Sequence, residues 1–168
     1  MRYPKIEGRV AWIFSEPNFD IDLIVGVENI KGSDIETLKK ACMKKYDLEF
    51  AARVKEGDVI VGGSNFGYGH PHYHACKALR EFGIKAIIAE SFSPGFYRAE
   101  VINGFPLIEC NGVLEGLERW DLIAFDWEEG VLINKTRKKR LKTAPIPAKT
   151  RNLILHGGII PYLQHERL

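Results

Sequence analysis

The chain is poor in cysteine. Cys42, Cys76 and Cys110 are its only three thiols, and they are widely spaced. An odd number of cysteines without a Cys-x-x-Cys pair excludes a disulfide framework and favours a reducing compartment, so we expect a cytoplasmic protein. Three separated thiols are also too few for a four-cysteine metal or iron–sulfur centre, so we expect no cofactor and no metal on this chain.

Long hydrophobic runs and a large charge imbalance are also missing. No apolar run approaches the roughly 18 residues of a membrane span, and the beginning, MRYPKIEGRVAWIF, does not have the form of a secretory signal. The formal net charge of +2 indicates no strongly charged partner such as nucleic acid, and no membrane partner is expected. A length of 168 residues with 45% hydrophobic residues predicts one domain over residues 1–168 with its own core.

The hydrophobic pattern predicts an α/β fold. Apolar runs predict buried strands over 58–63 and 84–90, and a helix over 72–83 lies between them. Pro71 suits the first turn of that helix and Gly83 suits its end. A strand–helix–strand unit implies parallel pairing, so the core is predicted to be a parallel βαβ unit.

Further elements are predicted on both sides of this unit. Short β-type runs cover 9–14 and 20–25, helices cover 34–46, 48–54, 94–102, 112–121 and 148–156, and another strand covers 105–110. Ser33, followed by Glu36, has the spacing of a capping box at the start of the helix over 34–46. The alternation from 122 to 141 predicts a meander with a turn at Glu129-Gly130, so a basic hairpin and a C-terminal helix would occupy about 120–168.

The C-terminal third is basic. Residues 135–151 contain eight basic residues and no acidic residue. A basic stretch of this kind raises the possibility of nucleic-acid binding, but no aromatic side chains interleave with the charges to stack on bases. The pattern therefore favours a solvated hairpin or a docking face for an acidic partner.

The stretch GGSNFGYGHPHYHAC, residues 62–76, is where the sequence concentrates its chemistry. Glycines between a strand and a helix leave backbone N–H groups exposed at the positive end of the helix dipole, which favours an anion such as carboxylate or phosphate. Asn65, Tyr68 and the three imidazoles can add side-chain donors. The spacing matches neither the Walker phosphate loop nor the complete G-x-G-x-x-G fingerprint.

The run GSNFGYGHPHYHACKALREFGIKAIIAESFSPGFYRAEVINGFPLIEC resembles the small subunit of 3-isopropylmalate dehydratase and its relatives, which include homoaconitase, dimethylmaleate hydratase and the swivelling domain of aconitase. The family pattern is similar to G-x-N-F-G-x-G-S-S-R-E-H-A. This chain retains Asn65, Phe66, Gly67, Gly69, His74 and Ala75 of that pattern. Upstream, DIDLIVGVENI resembles the family's D-x-D-x-I-I segment, and downstream GGIIPYL resembles its C-terminal G-G-L-I-x-Y.

The resemblance implies a fold and an activity. It implies a swivelling β/β/α domain that closes over an active site built mainly by a separate large subunit, which carries a [4Fe–4S] cluster. The two subunits together would add or remove water on a malate-like hydroxy acid, a small carboxylate substrate. The substrate-binding residues would be Asn65, Gly67, Gly69, His72, His74, Asp20 and Asp22, of which the two aspartates are expected on one side of a strand.

The sequence departs from the family at two places. The relatives' serine base and arginine clamp are replaced here by His70 and His72. Imidazole is a competent general base, so we expect His70 to be the catalytic base, and His72 to bind a carboxylate more weakly than arginine does. Glu28 takes the place of a positive residue in the segment after the aspartates, and Lys31 partly offsets it. Both changes favour a smaller or less charged hydroxy acid.

Two other classes of function remain open from the sequence. Loss of the serine and arginine is compatible with a ligand-binding or regulatory module that has no catalytic activity. The His-x-His-x-His pattern is also found in metal-dependent enzymes that act alone, although its spacing suits a strand better than the start of a helix.

Overall fold

A seven-stranded mixed sheet organises the molecule. The computed structural model describes residues 2–32 and 34–166. The strands are Glu7–Phe14 (β1), Val59–Gly62 (β2), Ala86–Ala89 (β3), Leu107–Glu109 (β4), Leu122–Asp126 (β5), Val131–Asn134 (β6) and Lys139–Lys142 (β7). Their order across the sheet is β4-β3-β2-β1-β5-β6-β7.

The first four strands form the parallel half. β1 pairs with β2, β2 with β3 and β3 with β4, all in parallel. β2 and β3 are buried along their whole length, which explains their continuous apolar sequences. The predicted α/β class and the parallel βαβ core are therefore confirmed.

Helices cover the sheet and connect its strands. They are Ile35–Ala41 (α1), Phe50–Arg53 (α2), His74–Glu81 (α3), Pro94–Ile102 (α4), Val113–Gly116 (α5), Ala148–His156 (α6) and Ile159–Glu166 (α7). Side chains from α1, α3 and α4 pack with one face of the parallel strands, and side chains from α5 and β5 pack with the other. Successive residues of β2 alternate between these two clusters, as the period of a strand requires.

The remaining strands form the antiparallel half. β1 pairs with β5, and β5, β6 and β7 follow as the predicted meander. Most of the basic stretch is exposed on this hairpin, where Lys135 pairs with Glu7 at 2.7 Å and Arg137 bonds Asp121 at 2.8 Å. Lysine and arginine side chains on β7, at the edge of the sheet, discourage pairing with another chain.

The segment predicted as a strand over 20–25 is a 3-10 helix instead, Ile21–Ile24. The Asp20 carboxylate accepts a hydrogen bond from the Asp22 amide at 2.9 Å and caps this helix. The two aspartates therefore do not alternate on a strand face. The prediction was wrong because a buried apolar run of this length fits a short helix as well as a strand.

Several helix boundaries also differ from prediction, and α2 and α5 are shorter than predicted. α1 ends at Ala41 because Met43, with φ of 61°, donates its amide to the carbonyl of Ile24. Asp34 caps α1 through the Thr37 amide, while the predicted cap Ser33 lies outside the described residues. α3 begins at His74 rather than at 72, and α7 follows α6 as a helix that the pattern did not predict.

Among the described residues, every helix is too short or too polar to cross a lipid bilayer.

Candidate active site

The glycine loop, residues 63–73, leaves the carboxyl end of β2 and enters α3, and Phe66 anchors it. The Phe66 side chain is fully buried and contacts the rings of Phe14, Phe19, Phe92 and Phe96. Its amide donates to the carbonyl of Ser91 at 3.0 Å, and its carbonyl accepts from the Ser93 amide at 2.8 Å. The loop is therefore fixed at its centre, next to the segment that follows β3.

The first part of the loop uses its polar groups internally. The Asn65 amide donates to the Ser91 hydroxyl at 2.8 Å, and its side-chain nitrogen donates to the Asn18 oxygen at 2.7 Å. The Gly67 amide donates to the carbonyl of Phe19 at 2.9 Å. Asn65 and Gly67 therefore shape the loop, Asn65 through Asn18 and Ser91 and Gly67 through Phe19.

The next part of the loop is open. The amides of Tyr68, Gly69 and His70 take part in none of the hydrogen bonds formed within residues 2–32 and 34–166, and all three residues are exposed. A side chain added at Gly69 would lie 3.6 Å from the Asp20 carboxylate, so that carboxylate borders the open amides. This is the part of the loop where the backbone is available to a ligand.

Asp22 and His72 form a close pair across the loop. The Asp22 carboxylate accepts from the His72 amide at 3.0 Å and lies 2.6 Å from the His72 Nδ1. Asp22 is buried, whereas the His72 side chain is 46% exposed. Because its amide bonds to Asp22, His72 stays outside α3, which explains why the helix begins later than predicted.

His74 is the first residue of α3 and is buried at 7% exposure. Its Nδ1 has no hydrogen-bond partner in the described part of the chain, and the Tyr73 ring stacks on its imidazole at 4.2 Å. Burial lowers the pKa of His74, and the neighbouring His72 contributes in the same direction. A neutral imidazole with an unsatisfied nitrogen is unusual in a relaxed core and is typical of a functional region.

The structure thus brings some predicted site residues together and separates others. Asp22, His72 and His74 lie together, since the two imidazole centroids are 6.3 Å apart, and Asp20 lies beside Gly69. His70 projects from the open part of the loop without a hydrogen bond to any described residue. Asn65 instead bonds Asn18. Tyr73 is a site residue that sequence reasoning missed, since only the three-dimensional stacking reveals it.

Glu28 lies in a second 3-10 helix, Val27–Asn29, at the rim of a groove of about 310 Å³. The groove also contains three lysines from the neighbouring helix and turn, Lys40, Lys44 and Lys45. Positive side chains therefore line the same groove as this acidic residue, but they come from α1 and its continuation, and Lys31 does not line it.

A metal centre would need converging ligands. Within residues 2–32 and 34–166, no group of three or more His, Cys, Asp or Glu side chains is arranged to hold a metal ion. The three cysteines are buried as free thiols, Cys42 at the C-terminal cap of α1, Cys76 within α3 and Cys110 directly after β4. Burial raises the pKa of Cys42 to about 12 and that of Cys110 to about 11. These protonated, separated thiols do not fit an iron–sulfur cluster.

Comparisons with known proteins place the chain in a family. Residues 6–110 match the family model of the aconitase C-terminal domain. The 3-isopropylmalate dehydratase small subunit of Aliarcobacter butzleri is 39% identical over 161 residues, which cover 96% of this chain and 95% of that protein. The chain belongs to the 3-isopropylmalate dehydratase small subunit family. The family resemblance predicted from the glycine loop is therefore confirmed.

Other members of the 3-isopropylmalate dehydratase small subunit family show the same extent of similarity. The isopropylmalate/citramalate isomerase small subunit of Methanocaldococcus jannaschii is 38% identical, with 96% of this chain and 95% of that protein covered. A crystal structure of 3-isopropylmalate dehydratase (leuD) from the same organism superposes with a TM-score of 0.83 at 30% identity, covering 98% of this chain and 96% of that one. The predicted aconitase-type fold is therefore confirmed as well.

Proposed function

We propose that this chain is the small subunit of an iron–sulfur hydro-lyase that adds water to, or removes it from, a malate-like hydroxy acid together with a large subunit. The main support for this proposal is that relatives named as small subunits of 3-isopropylmalate dehydratase or of isopropylmalate/citramalate isomerase match this chain over 89–96% of its length.

The cluster belongs on the large subunit in this proposal. The buried, separated thiols of this chain do not fit it, and the described residues present no alternative ligand group. When bound in the large subunit, the cluster supplies the Lewis acid at which the hydroxyl of the substrate departs. This chain supplies the groups that hold the carboxylates and move the proton.

The open amides of Tyr68, Gly69 and His70 are the proposed place for a substrate carboxylate. They lie between β2 and the beginning of α3, where the helix dipole favours an anion. His72, at the position of the relatives' arginine, and His74 lie at the same end of α3 and border this place. His70 and His72 are the two candidates for the base.

The remaining predicted site residues have supporting parts in this proposal. Asn65 and Gly67 hold the loop in shape through internal hydrogen bonds, and Gly69 allows the backbone to approach the ligand. Asp20 and Asp22 border the loop as carboxylates. Their negative charge opposes anions beside the loop, so we expect the open amides to hold no more than one substrate carboxylate, which agrees with a smaller or less charged hydroxy acid.

The names of the relatives guide the choice of substrates to test. Those proteins are named for isopropylmalate and for citramalate. For this chain we propose malate-type acids with a small or apolar substituent, because the Asp20 carboxylate beside Gly69 would repel a second acidic arm. The odd number of separated free thiols supports a reducing, cytoplasmic location.

The test is reconstitution. The chain is co-expressed with the large subunit from the same cell, the complex is purified without oxygen, and it is tested on 2- and 3-isopropylmalate, citramalate, and malates and maleates with one small substituent. We expect a stable complex that interconverts at least one of these acids, and an inactive isolated chain. Activity of the isolated chain, or a stable complex that accepts no substrate, would contradict the proposal; the second result would favour a regulatory or ligand-binding role.

A further inference from the structure

The carboxylate of Asp22 contacts two atoms of His72, the main-chain nitrogen and the ring Nδ1. Asp22 accepts the His72 main-chain amide at 3.0 Å through one oxygen and lies 2.6 Å from the ring Nδ1 through the other. The two residues are 50 positions apart, so the pair exists only through the fold. These two contacts fix both the position of the His72 backbone and the orientation of its imidazole ring.

This contact determines which ring nitrogen is free. An ionised carboxylate can only accept hydrogen bonds, so His72 Nδ1 carries the hydrogen and Nε2 carries the lone pair in the neutral ring. Asp22 is 5% exposed and His72 is 46% exposed, so the ring leads from a buried carboxylate to the surface of the loop. A basic nitrogen is thereby presented at the loop surface.

The other imidazoles of the loop lack this arrangement. His70 is exposed, and no hydrogen bond to a described residue orients its ring. His74 is oriented, but it is buried and the Tyr73 ring covers it. Efficient proton transfer needs a group that is both oriented and accessible, and within the loop His72 combines the two properties.

We infer that His72 is the catalytic residue that takes the proton from the substrate carbon, and that Asp22 is its positioning residue; this inference rests on the proposed function. In dehydration, Nε2 accepts the proton of the carbon next to the carboxylate. The electrons of that C–H bond form the double bond, and the C–O bond of the neighbouring hydroxyl breaks, releasing hydroxide. Hydration reverses these steps, so His72 returns the proton and Asp22 stabilises the imidazolium without being protonated itself.

Two neighbours agree with this assignment. The His74 ring centroid lies 6.3 Å away, and burial lowers the pKa of His74, which disfavours a second positive charge beside an imidazolium at His72. The open amides of Tyr68 to His70 lie two to four residues before His72 in the same loop, so we expect a carboxylate bound there to hold the neighbouring carbon near His72. Binding and proton transfer are thus adjacent.

The first experiment examines the pair without activity. Nitrogen-15 NMR of the full chain, labelled at histidine, identifies which ring nitrogen carries hydrogen. We expect His72 with hydrogen on Nδ1, and we expect Asp22→Asn to abolish this preference while leaving the His165 signal unchanged. A His72 ring with hydrogen on Nε2, or a ring indifferent to Asp22→Asn, would overturn the inference whether or not the proposed function holds.

The second experiment measures the assembled enzyme. We expect His72→Gln to lower kcat by about 10²–10⁴-fold with a smaller change in KM. Asp22→Asn should lower kcat in the same direction, and His70→Ala should raise KM more than it lowers kcat. His165→Ala, on the distant C-terminal helix, is the matched control and should leave both unchanged. Added imidazole should partly restore kcat to His72→Gly, which a purely structural role would not allow.

The outcomes separate the two claims. An inactive wild-type complex contradicts the proposed function and leaves the NMR result to decide the pairing. An active wild-type complex in which His72→Gln keeps its kcat, while His70→Ala loses it, overturns the present assignment alone. His72→Gln retains an amide donor toward Asp22, so we expect it to fold and assemble, and thermal melting with co-purification verifies this. If it fails to assemble, rescue of His72→Gly by imidazole decides the assignment in either direction.

Discussion

At the scale of single residues, buried charged groups differ in how well their charge is compensated. Asp58 is 2% exposed and accepts hydrogen bonds from Arg9 and from the Lys55 amide, so its charge is well compensated. Glu100 is 4% exposed on α4 and has no comparable ion pair among the described residues. Burial raises the pKa of Glu100 above its ordinary value of 4.5, and the charge of Arg80 offsets only part of this.

The sign of this shift predicts a stabilising substitution. With the pKa raised in the folded state, folded protein binds the proton more tightly than unfolded protein, so stability is lost as pH rises from about 4.5 through the folded-state pKa. Glu100→Gln removes the charge and should raise the urea midpoint at pH 7 but change it little at pH 4. Glu81→Gln, an exposed position on the neighbouring helix α3, is the control and should change neither. An equal effect of Glu100→Gln at both pH values would show that burial of the charge is not the cause.

The elements show which parts of the fold the sequence predicts. β2, β3 and α4 were predicted correctly because continuous apolar runs and proline or glycine at their ends are local signals. The segment from 20 to 25 was not, since its conformation depends on capping by Asp20 and on the burial of Asp22 against the loop. The loop itself was recognisable by its glycines and histidines.

The candidate site was predictable in composition but not in arrangement. The three histidines and both aspartates were selected from the sequence, and the structure places Asp22, His72 and His74 together. The Asp22–His72 pair joins positions that are 50 residues apart, and no local pattern contains that information. The same holds for the internal use of the Asn65 and Gly67 amides, which only the neighbouring segments explain.

The glycine loop also gives a matched pair of substitutions. Gly67 has φ of 85°, and a Cβ there would lie 2.2 Å from the ring of Phe96. Gly69 has φ of 95°, but its nearest neighbour would be the Asp20 carboxylate at 3.6 Å. Alanine at either position pays about 1–2 kcal/mol for left-handed backbone. In Gly67→Ala, overpacking against the ring destabilises the folded state by about 1–3 kcal/mol more.

The free energies of unfolding of the two variants, measured in urea, check this expectation. Gly67→Ala should be less stable than Gly69→Ala by the overpacking cost, although both change one hydrogen to a methyl group in the same loop. Equal destabilisation would show that the loop moves away from Phe96 freely. That result would also contradict the view that Phe66 and Phe96 fix the loop in place.

At the scale of the whole molecule, β1 joins the two halves of the sheet. It pairs with β2 in the parallel half and with β5 in the antiparallel half. The side chains of β1 also contribute to the hydrophobic clusters on both faces, with Ala11 and Phe14 in one and Val10 in the other. Without β1, the parallel half would lose the pairing partner of β2 and the antiparallel half that of β5, and both hydrophobic clusters would lose side chains. The predicted single domain over residues 1–168 therefore implies one cooperative unit.

Tryptophan fluorescence can test this cooperativity, because Trp12 and Trp127 report from different halves. Trp12 lies on β1 and contacts Tyr46 beside the helix-covered cluster, whereas Trp127 stacks on Tyr3 at 4.9 Å in the antiparallel half. Two variants leave one reporter each: Trp12→Phe with Trp120→Phe, and Trp120→Phe with Trp127→Phe. In each variant, we expect the fluorescence and far-UV circular dichroism midpoints in urea to coincide, since loss of β1 pairing on one side removes the support of the other. A Trp127 transition at lower urea than the circular dichroism transition of the same variant would instead show that the basic meander unfolds by itself, and the chain would then consist of two units.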